Sequence, residues 1–289
     1  MTATKGYAAH DAQTALSDFS FERREPGPHD VAIEILYCGV CHSDIHQVRN
    51  EWGNSIFPMV PGHEIVGRVT AVGAHVKKFK AGDLAGVGCL VDSCRTCSQC
   101  QAGEEQYCET GSVGTYNSRD YAGNVTYGGY STNIVVDENF TLRIPENLKL
   151  EAVAPLLCAG ITTYSPIMHW KVSKGQKVAI VGLGGLGHMG VKFAVSFGAE
   201  VSLLSTSKSK EADAKKLGVH NFILTTDTAQ MKQYENYFDV ILDTVSANHE
   251  YETYLNLLGL NGKLMVVGLP PEAAKVSAFK LLNNRRSIT

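Results

Sequence analysis

The run Gly182-Leu183-Gly184-Gly185-Leu186-Gly187 constrains this chain more than any other feature. It follows a short apolar run, Lys177 to Val181, of strand composition, and it opens a stretch of helical composition, Gly187 to Phe197. The pattern G-x-G-x-x-G is common by chance, but between a strand and a helix it has a mechanical purpose. Gly182 permits a tight turn, Gly184 lets the backbone approach a pyrophosphate, and Gly187 lets helix and strand pack closely. A pyrophosphate would sit at the helix N-terminus, where unpaired N–H groups and the positive end of the helix dipole point. The alternative is a glycine-rich turn that serves packing alone.

The surrounding rhythm fits the first reading. Strand Val201 to Leu204, a Lys/Ala-rich helix from Glu211 to Leu217, and strands Phe222 to Leu224, Phe238 to Asp243 and Lys263 to Val267 follow in turn. Strands alternating with helices predict a doubly wound parallel sheet of Rossmann type over 151–289. Such a sheet commonly has six strands, and only five are legible. The chain is therefore expected to stop inside its sixth strand; the alternative is a five-stranded variant. Before residue 150 the pattern is β-rich. Val31 to Tyr37 and Ile65 to Val72 read as strands, and Gly or Pro punctuates the runs at short intervals, which suggests a barrel or sandwich over 1–150.

Composition excludes several classes. With 289 residues, 44% apolar, 19% charged and a net charge of −3, the chain has an ordinary soluble composition. It offers no basic footprint for a nucleic acid. No apolar run approaches the ~20 residues of a membrane span, and Met1 to Ala9 does not read as a signal peptide. A cytoplasmic location is expected.

Eight cysteines are then informative. The chain is neither small nor marked for export, so metal ligation is a better expectation than a disulfide framework. Cys94-x2-Cys97-x2-Cys100-x7-Cys108 puts four thiols on one short segment, about 89–110. Four thiolates can close a tetrahedron around zinc with no open position, which makes the site structural. An iron–sulfur centre is the rival, because it also uses four cysteines. Cys41 and His63 lie in the β-rich half and Cys158 just past the boundary. Two thiolates and an imidazole form a three-ligand set with a fourth position left for water or substrate, a combination used in alcohol dehydrogenase.

The runs Cys41-His-Ser-Asp-Ile-His46, Val60-Pro-Gly-His-Glu-Ile-Val-Gly67, the four-cysteine lobe and the glycine turn occur in this order. In that arrangement the chain resembles the zinc-dependent medium-chain alcohol dehydrogenases. Asn50-Glu-Trp-Gly53, Cys158-Ala-Gly-Ile-Thr-Thr-Tyr-Ser-Pro166 and Ser205-Thr-Ser207 are most similar to the cinnamyl alcohol dehydrogenase branch. The resemblance covers essentially the whole chain, and members usually continue for several dozen residues more. It implies an N-terminal GroES-like β-barrel catalytic domain and a Rossmann domain, with substrate and cofactor meeting in the cleft between them. It further implies two zinc ions per chain, NADP(H), a small alcohol or aldehyde substrate and a homodimer.

The resemblance also implies residue roles. Cys41, His63 and Cys158 hold the catalytic zinc, and Cys94, Cys97, Cys100 and Cys108 the structural one. Glu64 approaches the catalytic metal during ligand exchange, and Asp44 orients the His63 imidazole. Ser43 bonds the substrate oxygen and starts a proton relay that ends at His46. Gly182, Leu183, Gly184, Gly185, Leu186, Gly187 and Thr162 contact the cofactor, and Trp52 lines the substrate pocket. Cys38 and Cys89 match no ligand position and read as small core residues. Val113-Gly114-Thr115 stands where the branch often carries an aromatic pocket residue, which counts against a preference for bulky phenylpropanoids.

Cofactor choice can be argued from the strand itself. Counting about 20 residues from Gly182 lands near Glu200, the place where an NAD-specific acid is sought. Glu200 opens its strand, however, and five residues of strand span roughly 16 Å, which puts it at the wrong edge of the sheet. Ser205 stands at the correct edge, followed by Thr206, Ser207, Lys208 and Lys210. Hydroxyls and lysines accept a 2′-phosphate that a carboxylate would repel, and Lys210 matches the branch's lysine better than Lys208. Two other classes of function compete. A zinc-free quinone reductase of the superfamily would generally lack both cysteine sets. A zinc-stabilised nucleotide-binding or structural protein would leave Cys41, His63, Cys158, Ser43 and Glu64 without a shared purpose.

Overall fold

Val178 and Ile180 face one side of their strand, Ala179 and Val181 the other, and both sides are buried. That two-sided burial is what a parallel sheet covered by helices on both faces requires. In a computed structural model describing residues 1–289, strand Lys177–Val181 lies inside a six-stranded sheet. The strand order is Asn221–Leu224, Glu200–Ser205, Lys177–Val181, Phe238–Asp243, Leu258–Val266 and Ser287–Ile288, and every pair is parallel. One face packs Val201, Leu203, Val240 and Leu242 against Val191 and Ala194 of helix Gly185–Ser196. The other packs Leu204, Ile223 and Ile241 against Tyr254 and Leu255 of helix Tyr251–Leu255. Each fully buried Ile or Leu here contributes about 1.5–3 kcal/mol. The order reverses direction between Lys177–Val181 and Phe238–Asp243, so the crevice beyond their C-terminal ends is the ligand position of such a sheet.

The sheet has a sixth strand, Ser287–Ile288, paired with Lys263 and Leu264. The helix after the glycine turn begins at Gly185, two residues earlier than its apolar pattern suggests. Strand Leu258–Val266 also starts earlier than expected, because Leu258 pairs with Phe238 ahead of the Asn261-Gly262 irregularity.

The chain divides into two units, Met1–Cys158 and Ala159–Thr289. In the first, a five-stranded antiparallel sheet runs in the order Asn133–Asp137, Asp30–Cys38, Ile65–Val72, Leu84–Val87, Leu142–Arg143. Val31, Ile33, Ile65, Val69, Ala85, Ile134 and Val136 form its core. A hairpin, Thr2–Ala8 with Ser17–Arg23, and a short pair, Leu90–Asp92 with Val113–Gly114, complete the strands. The second of these pairs carries the four-cysteine segment between its arms.

The register positions the chemistry. Cys38 is the partner of Ile65, so the chain leaving one strand toward Cys41 lies beside the chain entering the next from His63 and Glu64. Close approach is obligatory nearby: a Cβ on Gly67 would sit 2.1 Å from the Glu34 carbonyl oxygen. Leu157 packs with Val66, Ile144 and Val153, which seats the end of the turn Ala154–Leu157 and, next to it, Cys158.

Candidate metal centres and cofactor site

Ligand atoms of Cys41, His63, Glu64 and Cys158 all lie within 4.8 Å of one another. The Cys41 and Cys158 sulfurs are 3.8 Å apart. A tetrahedral site with Zn–S bonds of ~2.3 Å has an S···S edge of about 3.8 Å, so the donors fit the metal that the ligand types suggest. Contact with Cys158, together with burial, pushes the Cys41 thiol up to about 12, against the pull of His63 and Ser43. Two sulfurs in contact in a dry site ionise together only around a cation.

The His63 imidazole is oriented by Asp44, whose Oδ1 lies 3.2 Å from Nδ1. That leaves Nε2 as the nitrogen that could ligate a metal. The same buried carboxylate accepts the Gly62 amide at 3.0 Å and, through Oδ2, the Cys41 amide at 2.9 Å. Burial raises the Asp44 carboxyl, and the His63 bond with the two amides outweighs it, so the group stays ionised. Asp44 reaches these partners because it occupies the first turn of helix His42–Val48, three residues after Cys41. Tyr116 stacks on His63 with ring centroids 5.6 Å apart.

Ser43 is half-buried in the same turn and lowers the Cys41 thiol against the rise caused by Cys158 and burial. His46 binds Glu51 through Nδ1, while its Nε2 is buried and without a partner. His42, which is exposed, and Trp52 sandwich His46, with centroids 4.8 and 5.0 Å away. Glu51 was named in the sequence only within a branch motif; its pairing across the end of a short helix carries no spacing signal of its own. Cys89 corrects the sequence reading. It is exposed rather than a core residue, and its sulfur lies 4.0 Å from the Leu157 carbonyl oxygen. It follows the end of strand Leu84–Val87, where the chain leaves the sheet. Cys38 is half-buried against the core.

The four thiols of Cys94, Cys97, Cys100 and Cys108 also lie within 4.8 Å of one another. Cys94 and Cys100 sulfurs are 3.9 Å apart, again a tetrahedral edge. Backbone amides aim at the sulfurs: Cys97 N at Cys94 (3.3 Å), Cys94 N at Cys108 (3.4 Å) and Glu109 N at Cys97 (3.5 Å). The Thr96 amide and hydroxyl, then the Cys97 amide, bring the Cys94 thiol down to about 5. Such donors favour thiolates, the form a metal takes. The x7 step from Cys100 to Cys108, followed by Glu109, departs from the x3 step to Cys-Pro of a bacterial iron–sulfur run, so zinc fits these four thiols better.

In the second unit, Gly182 adopts φ +83°, and a Cβ on Gly187 would sit 2.1 Å from the Gly182 carbonyl oxygen. Gly184 caps the helix without a side-chain bond. A Cβ on Gly184 or Gly185 would meet nothing within 4 Å. The turn is thus closed where glycines pack and open where a pyrophosphate would lie, with the first helical amides left for it. Thr162 is half-buried in helix Ala159–His169.

Glu200 pairs with Lys177 at the N-terminal edge of the sheet, where it accepts the Tyr237 hydroxyl at 2.7 Å. Ser205 stands at the opposite edge, directly after Leu204, whose carbonyl accepts the Gly182 amide at 2.8 Å. Ser205 is buried and accepts the Ser207 amide at 3.1 Å, while Thr206, Ser207, Lys208 and Lys210 are exposed.

Residues 27–146 match the family described as alcohol dehydrogenase GroES-like domain, and residues 185–289 match that described as zinc-binding dehydrogenase. An NADP-dependent alcohol dehydrogenase of Mycolicibacterium smegmatis is 53% identical over 290 residues, covering 100% of this chain and 83% of that protein. The chain belongs to the zinc-dependent medium-chain alcohol dehydrogenases. Among solved structures, a cinnamyl alcohol dehydrogenase from Sorghum bicolor matches with a TM-score of 0.97 and 46% identity, over 99% of this chain and 82% of that one. The Helicobacter pylori enzyme of that kind, complexed with NADP(H), matches with a TM-score of 0.93, 46% identity and the same coverage. These likenesses put this dehydrogenase in the cinnamyl alcohol dehydrogenase branch, with a GroES-like domain followed by a Rossmann domain.

Proposed function

We propose that this dehydrogenase interconverts primary alcohols and aldehydes, aromatic or aliphatic, with zinc and NADP(H). The observation that carries the reading is the convergence of Cys41, His63, Cys158 and Glu64 donors within 4.8 Å in a family of zinc alcohol dehydrogenases. Cys41, His63 and Cys158 would hold the catalytic ion, with Glu64 close enough to exchange with them. Cys94, Cys97, Cys100 and Cys108 would hold a structural one. Bound there, zinc supplies Lewis acidity toward an alcohol or aldehyde oxygen, and the nicotinamide supplies hydride exchange.

The chain's own residues do the rest. Asp44 holds the His63 ring and the Cys41 and Gly62 backbone in one arrangement. Ser43 is the hydroxyl in the donor shell and bonds the substrate oxygen. His46, with Nε2 unpartnered and Nδ1 on Glu51, can take a proton at one nitrogen and release one from the other. Trp52, stacked on His46, walls the substrate side. Gly182 to Gly187, with Thr162, cradle the pyrophosphate, and Ser205, Thr206, Ser207 and Lys210 receive the 2′-phosphate. Val113-Gly114-Thr115 stands where the branch often carries a further aromatic pocket residue, which counts against bulky phenylpropanoids as preferred substrates. No single helix is long and apolar enough to cross a membrane; we take the protein to work in the cytoplasm as a homodimer.

Steady-state kinetics with one small aldehyde test the reading. NADPH should give a kcat/KM well above that of NADH, and metal analysis should find two zinc ions per chain. Equal kcat/KM for the two cofactors would refute the NADP assignment, and full activity without zinc would refute the metal assignment.

A further inference from the structure

Asp243 ends strand Phe238–Asp243 and is completely buried, yet no step above uses it. Its Oδ2 lies 2.6 Å from His249 Nε2, and its Oδ1 accepts the Val245 amide at 3.1 Å. His249 Nδ1 lies 2.7 Å from the Ala247 carbonyl oxygen. A carbonyl only accepts, so Nδ1 carries a hydrogen, and one further proton must bridge Nε2 and the carboxyl. Imidazolium–carboxylate and imidazole–carboxylic acid are two descriptions of that one-proton pair. Burial raises the Asp243 carboxyl above the usual carboxylate range, and the Val245 amide and His249 only partly offset this. The Tyr251 and Tyr254 rings pack on the imidazole, with centroids 5.0 and 5.6 Å away.

These bonds close the segment 244–248 into a loop tied at both ends, and that loop forms a wall of the glycine turn. Thr244 Oγ1 donates to the Val181 carbonyl at 2.7 Å. The same oxygen lies 3.2 Å from a Cβ built on Gly187, and Val245 Cγ2 lies 3.1 Å from one built on Gly182. On its other side, the Val245 carbonyl is 2.3 Å from a Cβ built on Gly268. The loop is therefore held against the crevice where the strand order reverses, which is where a dinucleotide binds in this kind of sheet.

We propose that His249 is a positioning residue for the nicotinamide cofactor, its one-proton bond to Asp243 holding residues 244–248 against the glycine turn. The inference rests on the NADP(H) reading of that turn. Loss of the bond frees the wall without touching the turn itself, so cofactor affinity falls while the fold persists.

The test is equilibrium binding of NADPH, followed by its fluorescence, to zinc-loaded wild type, His249→Ala, Asp243→Ala and Asp243→Asn. A hydrogen bond with a charged partner is worth enough that the two alanine variants should raise the Kd about tenfold or more. Asn at 243 keeps the oxygen for Val245 and offers an amide hydrogen to Nε2, so its Kd should stay within about threefold of wild type. That rescue separates positioning by a hydrogen bond from mere filling of space. A His249→Ala Kd within about twofold of wild type would overturn the proposal, as would an Asp243→Asn variant as weak as Asp243→Ala. Wild type that fails to bind NADPH at all would instead overturn the cofactor reading beneath it.

Discussion

Asp44 is the residue whose loss should be most costly to the catalytic donor set. Its carboxylate, 3% exposed, accepts from Cys41 N, Gly62 N and His63 Nδ1. Asp44→Ala strands three buried donors at once. Each unsatisfied donor costs about 1–3 kcal/mol, and relaxation with water entry recovers part, so a loss of about 3–5 kcal/mol is expected. Asp44→Asn keeps an oxygen for Gly62 and His63 but turns an amide toward the Cys41 N–H, two donors facing each other. That variant should lose about 1–3 kcal/mol. Freed from its carboxylate, the His63 ring can rotate, and a partner of this kind is worth about 10–100-fold in metal affinity. Urea denaturation gives the stabilities, and competition with a chromogenic chelator gives the zinc affinities of the two sites separately. Weaker zinc at Cys41/His63/Cys158 with unchanged zinc at the four-thiol lobe is the expected pattern. Asp44→Ala with wild-type zinc affinity and a stability loss below about 0.5 kcal/mol would refute the argument.

Other outcomes follow from the same structure. Cys41→Ser or Cys158→Ser should abolish turnover while NADPH still binds, because the glycine turn is built from other residues; near-normal turnover in either would show the ligands to be misassigned. Mild chelation should remove activity before it unfolds the four-thiol lobe, since that donor set has no open position; circular dichroism beside the assay decides, and simultaneous loss would count against two classes of site. Ser205→Asp should weaken NADPH through repulsion of the 2′-phosphate, and Lys210→Ala should do so by removing a positive charge; unchanged KM for NADPH in both would contradict the edge argument. Burial raises the Asp30 carboxyl, but Arg24 and the Gly27 amide hold it below the ordinary carboxylate range. A depressed folded-state value contributes stability above the unfolded value of about 3.9 and loses it as pH falls through the folded one. Asp30→Asn should therefore be less stable than wild type at pH 7, with the gap narrowing below about pH 4; a gap independent of pH would contradict the sign.

The strands Ile65–Val72, Lys177–Val181 and Phe238–Asp243 were legible to the residue because each is rich in Val, Ile or Leu and is bounded by a turn former or a charge. The two cysteine sets were legible through residue type and spacing. The hairpin Thr2–Ala8 with Ser17–Arg23 was not, because its two-residue alternation is carried inward by Thr4, Gly6 and Ala8 on one arm and by Phe19, Phe21 and Arg23 on the other, a mixture with little apolar signal. The start of strand Leu258–Val266 was hidden by Gly259 and Asn261, which read as a turn although Leu258 already pairs with Phe238. Glu51 on His46 and His249 on Asp243 were invisible for a different reason. Such pairs depend on where a loop returns, and neither spacing has a periodicity to betray it.

The two donor sets differ in how far along the chain their members lie. The four thiols are contained within residues 94–108, whereas Cys41 and Cys158 are 117 positions apart. During synthesis the lobe can capture an ion as soon as its own segment has emerged, and the captured ion then ties together a stretch too short to fold by burial alone. The catalytic set exists only once residue 158 has emerged and the sheet has brought Cys38 beside Ile65. If the two sets hold zinc as proposed, loading would be ordered: the closed lobe would take its ion first, and the Cys41/His63/Cys158 set would take one only at a finished scaffold.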